Sequence, residues 1–395
     1  MLSTCRACSG PDVELVHESA LDRTLTSESK LRPGRLKIYL CQNCAHVMSD
    51  DGGLGDVAAY YGREYDSLLD CAEADDLYDL DANLQPIYRS QIQLENLARL
   101  ANLPPRGDIL DFGCGKGGFL ARFARMCPAW TLHGADVAER YRAFVEPITG
   151  PGGFSVVDLN SVGPLGGPFD LITMFFVGEH LERPIETLGR VAGMLTPEGL
   201  LYLTVPNVLV NSIDAFLSDH LSHFSALSLS VLLHRCGLRP VMLSEHHQMG
   251  QITVMAAPEP AFHEFSGKRV ANDIVTVYAQ VIRGSIESWV DCAERVREFL
   301  AGRPADRGAL AVYGAGVFGS YLAMSIGPAE KDIACFLDQN PFKIGKEHMG
   351  KPIVHPRDLP SAVNDILVGL NPARARSILQ QAGLLGRRNL RFFFP

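Results

Sequence analysis

Two groups of residues in this chain have the types and spacing to do chemistry. The first is Asp111-Phe-Gly-Cys-Gly-Lys-Gly-Gly118, followed by Asp136 at the end of the next apolar run. A glycine-rich turn lets the backbone approach a nucleotide-like cofactor closely. Gly113, Gly115 and Gly118 satisfy G-x-G-x-x-G, which suits a dinucleotide or S-adenosylmethionine alike. The carboxylates bear on the choice, together with segments further along the chain. Asp111 can meet the cationic, amine-bearing end of a methionine moiety and would repel a pyrophosphate, while Asp136 can accept both ribose hydroxyls. The expected cofactor is S-adenosylmethionine.

The second group is a cysteine quartet, Cys5-Arg-Ala-Cys8 and Cys41-Gln-Asn-Cys44. Each pair can chelate one face of a tetrahedral ion, and structural zinc prefers four thiolates. The alternative, a pair of redox motifs, calls for a C-x-x-C that opens a helix after a strand, and neither pair does so. With four sulfur ligands no coordination position stays open, so the expected metal is structural. His46 reads as a surface or packing residue.

A second glycine loop, Ala311-Val-Tyr-Gly-Ala-Gly-Val-Phe-Gly319, precedes Asp338 and Lys343. It has three readings: a second nucleotide site, a Rossmann-like unit that binds no dinucleotide, or a loop that helps hold a nucleotide-linked substrate.

The elements that must carry these residues follow from periodicity. Residues 1–75 are irregular and cysteine-bearing. Leu80, Leu84, Ile87, Ile92, Leu94, Leu97 and Leu100 predict helix between Asp76 and Leu103, with a second helix opening at Pro86. Short apolar strands then alternate with helices: Ile109–Phe112, Thr131–Ala135, Phe154–Val157, Leu171–Phe176, Leu200–Val205 and Gln251–Ala257. Val270–Leu300 reads as one or two amphipathic helices. Strands resume at Leu310–Tyr313, Ile333–Leu337, Ile366–Gly369 and Leu390–Phe394. Alternation of this kind predicts an α/β fold with parallel sheets covered on both faces. Three domains are expected: a zinc-binding unit at 1–75, an S-adenosylmethionine-binding core at 76–258, and a helical connector with a second Rossmann-like unit at 259–395.

The chain has 395 residues, 45 acidic against 36 basic, and a net charge of −9. That balance disfavours a nucleic-acid partner, which calls for a basic patch. No apolar run reaches the length of a membrane span, and the N-terminus has no secretory pattern. A cytoplasmic protein is expected, its ten cysteines reduced or metal-bound.

Residues 85–257 resemble the class I methyltransferases through the glycine loop, Phe169-Asp-Leu-Ile-Thr-Met-Phe-Phe-Val-Gly-Glu-His-Leu181 and Leu195-Thr-Pro-Glu-Gly-Leu-Leu-Tyr-Leu-Thr-Val-Pro206. The resemblance implies a cofactor set of Asp111, Gly113, Gly115, Gly117, Asp136, Asp158 and Phe176. For Asp158 a helix N-cap is the alternative reading. The order of quartet, core and second glycine loop with Asp338-Gln-Asn-Pro-x-Lys343 resembles the three-domain sugar C-methyltransferases of bacterial deoxysugar pathways. That resemblance implies a nucleotide-linked 4-keto-6-deoxysugar as substrate. A base takes the proton beside the ketone, and the enolate takes the methyl group.

In Ser218-Asp-His-Leu-Ser-His-Phe-Ser225, His220 matches the family's base and Asp219 the acid that orients or polarises it. His180 matches a position at the mouth of the site and is either a substrate contact or a packing residue. His223, Tyr60, Tyr61 and Tyr65 read as packing residues, and His246 and His247 as exposed loop residues.

Three positions depart from the family pattern. Leu217 stands for a tyrosine, Gln248-Met-Gly-Gln251 for His-Gly-Gly-Ser, and Asp66-Ser-Leu-Leu69 for a tyrosine- and serine-rich run. The cofactor half matches the family while the acceptor half differs. Rival readings are O- or N-methylation of a sugar-like or secondary metabolite, and a non-catalytic binding module on the same scaffold.

Overall fold

The computed structural model describes residues 2–65, 75, 77–80, 85–158, 163, 165–247, 250–259, 271–303 and 308–395. The central sheet has seven strands in the order Phe154–Val156, Thr131–Asp136, Asp108–Phe112, Phe169–Phe175, Leu195–Pro206, Gln251–Pro258 and Leu238–Ser244. The first five are mutually parallel. The last two close the edge antiparallel. The middle strands are apolar along nearly their whole length because helices cover both faces. The second sheet has six strands around Ala309–Tyr313, parallel except for the short edge strand Glu347–His348. The fold is α/β with two Rossmann-like sheets, as the alternation predicts.

The first fifty residues are more regular than expected. Val13–Glu18, Lys37–Cys41 and Val47–Ser49 form an antiparallel sheet, and its fourth strand, Ser222–His223, comes from far along the chain. Lys37–Cys41 shows how this sheet is sandwiched. Ile38 and Leu40 enter the core that holds Ile282, Ile286 and Trp289 of the long helix. Tyr39 and Cys41, on the opposite face, enter the core of the central sheet with Ile172 and Leu201. Period-two alternation thus feeds two cores from one strand.

Asn272–Ala301 is one helix, with Val275, Ala279, Ile282, Ile286, Trp289, Cys292 and Val296 in a single buried stripe. The helix expected from Asp76 is a correction. Leu77–Leu80 is a strand, paired antiparallel with Pro86–Tyr88, and the helix spans Arg89–Leu100. The apolar residues fit a 3.6 period, but Pro86 has no amide for a helix ladder and sits at a strand start instead. Leu84 lies outside the described residues, as do Asp66–Leu69, Gln248 and Met249. Among the described residues no helix is long and apolar enough to cross a membrane.

Candidate functional site

The first glycine loop leaves the strand Asp108–Phe112 and is tied to its neighbour before the helix begins. The amides of Gly113 and Cys114 donate to the Ala135 carbonyl at 2.7 and 3.1 Å. At Gly113, φ is 83°, and a Cβ there would lie 2.3 Å from Val177 Cγ2, so both backbone and space require glycine. Gly117 takes the left-handed N-cap of the helix Gly118–Met126 behind the loop.

The Asp136 carboxylate accepts the Gly115 amide at 2.9 Å on one oxygen and the Ala138 amide at 3.0 Å on the other. Each oxygen keeps a lone pair for a further donor, the arrangement that a vicinal diol needs. Burial raises the Asp136 pKa, and these amides oppose the rise. Asp111 is buried, and its Oδ1 accepts the Thr173 hydroxyl at 2.7 Å. Burial lifts its pKa to about 7, with Thr173 opposing and Asp136 adding to the rise. An ammonium group beside it would relieve that penalty.

Asp111, Gly113, Gly115, Asp136, Phe176 and His180 line one cleft of about 1120 Å³ including its mouth, joined by Tyr61 and Arg89. Phe176 holds a positive φ of 57°, uncommon for a bulky residue, and the Arg89 guanidinium stacks 4.5 Å from its ring centroid. Asp158 is exposed past the end of its strand, and Val157, not Asp158, is in the cleft wall.

The histidines gather where Gly178–His180 follows the strand Phe169–Phe175. Their hydrogen bonds correct one pairing. Asp219 acts on His220 through its charge and not through a carboxylate hydrogen bond. Its carboxylate accepts the Ser27 amide at 2.7 Å, the Ser27 hydroxyl at 2.6 Å and the Tyr61 hydroxyl at 2.7 Å. Asp214 takes the orienting role instead, with Oδ1 2.7 Å from His220 Nδ1 and Oδ2 2.8 Å from His223 Nδ1. The physical reason is the turn Ser212–Phe216, which brings Asp214 under the histidines while the Asp219 side chain is drawn toward residue 27.

Burial disfavours charge on His220, but Asp214, Asp219 and Glu179 outweigh it and hold its pKa near about 9. Burial opposes ionisation of Asp214, yet His220 and His223 bring its pKa below the ordinary carboxylate value. His180 goes the other way. Burial and the nearby His220 charge lower its pKa to about 4, so the ring is neutral at physiological pH. Its Nδ1 lies 3.0 Å from the Asp219 carbonyl, an acceptor only, so the hydrogen sits on Nδ1 and Nε2 carries the lone pair. The His180 and His220 rings meet edge to face at 4.8 Å.

Tyr61, read from sequence as packing, belongs to this network, with its hydroxyl 2.7 Å from His180 Nδ1. Nothing in its spacing marks it, since the contact joins residues distant in sequence. Asp214 carries only one signal, a carboxylate in the same segment as His220. His223 is buried and also reaches Ser49 Oγ at 2.7 Å. His46 is buried against Phe224, away from the surface.

The cysteine quartet converges. All four sulfurs lie within 4.8 Å of one another, with Cys5–Cys44 at 3.7 Å and Cys8–Cys41 at 3.6 Å. These distances are far beyond the S–S bond of about 2.05 Å. They match the edge of about 3.8 Å that a tetrahedron with zinc–sulfur bonds of about 2.3 Å requires. The amides of Ala7, Gly10 and Asn43 point at Cys5, Cys8 and Cys41 sulfurs at 3.3–3.4 Å, as thiolate ligands need. The residues fit a structural zinc ion.

The second glycine loop repeats the first. Gly314 donates to Leu337 O at 2.7 Å and Ala315 to Asp338 Oδ2 at 3.0 Å. The Lys343 ammonium donates to the Ala315 carbonyl at 2.7 Å, a contact with no counterpart described in the first loop.

Residues 85–243 match the family model described as a methyltransferase domain. The C-methyltransferase NovU of Streptomyces niveus is 30% identical over 276 residues, 65% of this chain and 64% of that protein. The chain therefore spans slightly less than two thirds of that relative's length. Among solved structures, an S-adenosylmethionine-dependent methyltransferase from Clostridium acetobutylicum is 12% identical with a TM-score of 0.35, over 43% of this chain and 90% of that one. Another from Mesorhizobium loti is 18% identical with a TM-score of 0.36, over 42% and 97%.

Proposed function

We propose, from a methyltransferase domain at residues 85–243, that this chain transfers the methyl group of S-adenosylmethionine to a carbon beside the ketone of a nucleotide-linked deoxysugar. The carrying observation is the buried Asp214–His220 pair, in ring contact with a neutral His180 that lines the cleft. The name of the 30% identical relative supports carbon as the accepting atom. We assign three units: 1–75 with zinc, 76–258 with the cofactor, and 259–395 with the second glycine loop, which we assign to the nucleotide end of the substrate.

The cofactor supplies an electrophilic methyl group when bound. The chain's residues do the rest. Asp111 faces the ammonium group and Asp136 the ribose. The His180 lone pair at Nε2 accepts a substrate hydroxyl and orients the sugar. His220, made strongly basic by Asp214, accepts the proton beside the ketone once it has lost its own. O-methylation of a hydroxyl would use the same base.

The test is incubation with S-adenosylmethionine and a 4-keto-6-deoxysugar nucleotide in deuterated water. Exchange at the carbon beside the ketone, followed by methyl transfer, is the expected result. Cofactor binding without transfer to any sugar nucleotide would leave a binding module as the reading.

Two further outcomes follow. With His220 as base, turnover rises with pH up to about 9, where His220 loses its charge. A profile flat from pH 5 upward would move the base to His180. Asp136→Ala weakens cofactor binding by about 1–3 kcal/mol, the scale for a buried charged acceptor. Calorimetry of S-adenosylhomocysteine binding checks it, and an unchanged Kd would remove Asp136 from the cofactor site.

A further inference from the structure

Between the first two metal-ligating cysteines stands Arg6, a residue with no part in coordination. Its backbone amide points at Met48 Sδ at 3.2 Å. Its guanidinium reaches out of the knuckle, and Nη1 donates to the Ser49 carbonyl at 2.7 Å and also to the Leu221 carbonyl. Leu221 follows His220 directly. The same Leu221 carbonyl accepts the Ser49 amide at 3.2 Å, and the Leu221 amide donates to Glu179 O at 2.7 Å. Ser49 in turn touches His223 through its hydroxyl. The peptide beside His220 is thus gripped on one side by the turn that carries His180 and on the other by the cysteine knuckle.

We propose that Arg6 is a positioning residue for the Asp214–His220 pair, carrying the rigidity of the four-thiolate turn to the loop 218–223. The chemistry suits the task. A guanidinium is a planar, permanently charged donor, so two carbonyls converging on one Nη are both satisfied. Asp219, on the other side of His220, is held by Ser27 and Tyr61. His220 therefore stands between two fixed points, one of which is the knuckle. Small displacements of a reacting group lower turnover steeply, roughly a hundredfold for about 1 Å. Binding at the glycine loop, which Arg6 does not touch, stays outside its influence.

The inference rests on the assignment of His220 to proton transfer, and amide exchange separates the two. In Arg6→Gln, purified with its zinc content measured, deuterium uptake at residues 214–223 is expected to quicken while the segment 108–118 is unchanged. Turnover is expected to fall ten- to a hundredfold, with cofactor Kd within threefold of the parent. If the parent protein transfers no methyl group, the exchange comparison alone decides. Parental exchange at 214–223 in a zinc-loaded Arg6→Gln protein overturns the proposal even if methyl transfer is real. Should Arg6→Gln lose its zinc, Arg6→Met decides. Methionine keeps an apolar stem but offers no donor to the two carbonyls, so faster exchange at 214–223 supports the tether and parental exchange refutes it.

Discussion

Asp214→Asn is expected to reduce methyl-transfer turnover by roughly 10²–10⁴-fold, the range for losing a general base. The amide can still touch His220 and His223 but cannot hold a positive charge on the former. Removing one member of a buried ion pair also destabilises the fold, by about 3–5 kcal/mol. A pH signature separates this from simple misfolding. His220 has an ordinary pKa of 6.5, raised to about 9 in the fold. Its contribution to stability is therefore complete below pH 6.5 and lost as pH rises through about 9. Asp214 runs the other way: its pKa is depressed, so its contribution is complete above the ordinary 3.8 and lost as pH falls through the folded value. Urea unfolding of the parent protein should weaken between pH 6.5 and 9.5. In Asp214→Asn that slope should shrink, because only Asp219 and Glu179 then favour the His220 charge, and an undiminished slope with parental turnover would refute the pairing.

Cys44→Ala is expected to have the second large effect. Three thiolates and a void cannot hold a structural zinc site closed, and such sites contribute about 10–16 kcal/mol of apparent binding energy in small domains. Cys44 is buried in the same core as Met48 and Phe224, so losing the metal should open the sheet Val13–Ser49 and not merely fray its tip. Elemental analysis should find the variant zinc-free, and limited proteolysis should cut it first within residues 1–50. Turnover should vanish with it, because the strand Ser222–His223 loses its partner. A zinc-free protein with a protease-resistant N-terminus would show that the quartet is dispensable.

The sequence revealed most where chemistry restricts the residue type. Gly113 is legible because its φ and the wall at Val177 exclude every side chain. The cysteines are legible because only sulfur in paired turns gives that coordination. Asp136 is legible because a strand end is where a carboxylate meets the loop amides. Asp214 and Tyr61 are not legible as partners of the histidines, nor Arg6 as a tether of the loop beside them. Each makes contacts set by the packing of distant segments, and several carboxylates and tyrosines nearby have the same local pattern. Adjacency favoured Asp219 as the partner of His220, yet the backbone turn aims neighbouring side chains in different directions. The strand Leu77–Leu80 was misread because apolar spacing in a short segment fits both periods, and only its pairing with Pro86–Tyr88 separates them.

The two-residue strand Ser222–His223 has a consequence for anyone recombining this chain with its relatives. It is hydrogen-bonded to Met48 and Val47, while Leu25 bridges to Leu217. The support of the histidine cluster is consequently encoded in two separated stretches of the gene that must be inherited together. A chimera that exchanges only the first 65 residues would confront one parent's sheet with the other parent's edge. Crossovers that move residues 1–65 and 207–224 as a linked block keep that seam intact, and a library built on this block keeps the histidine cluster on its native support.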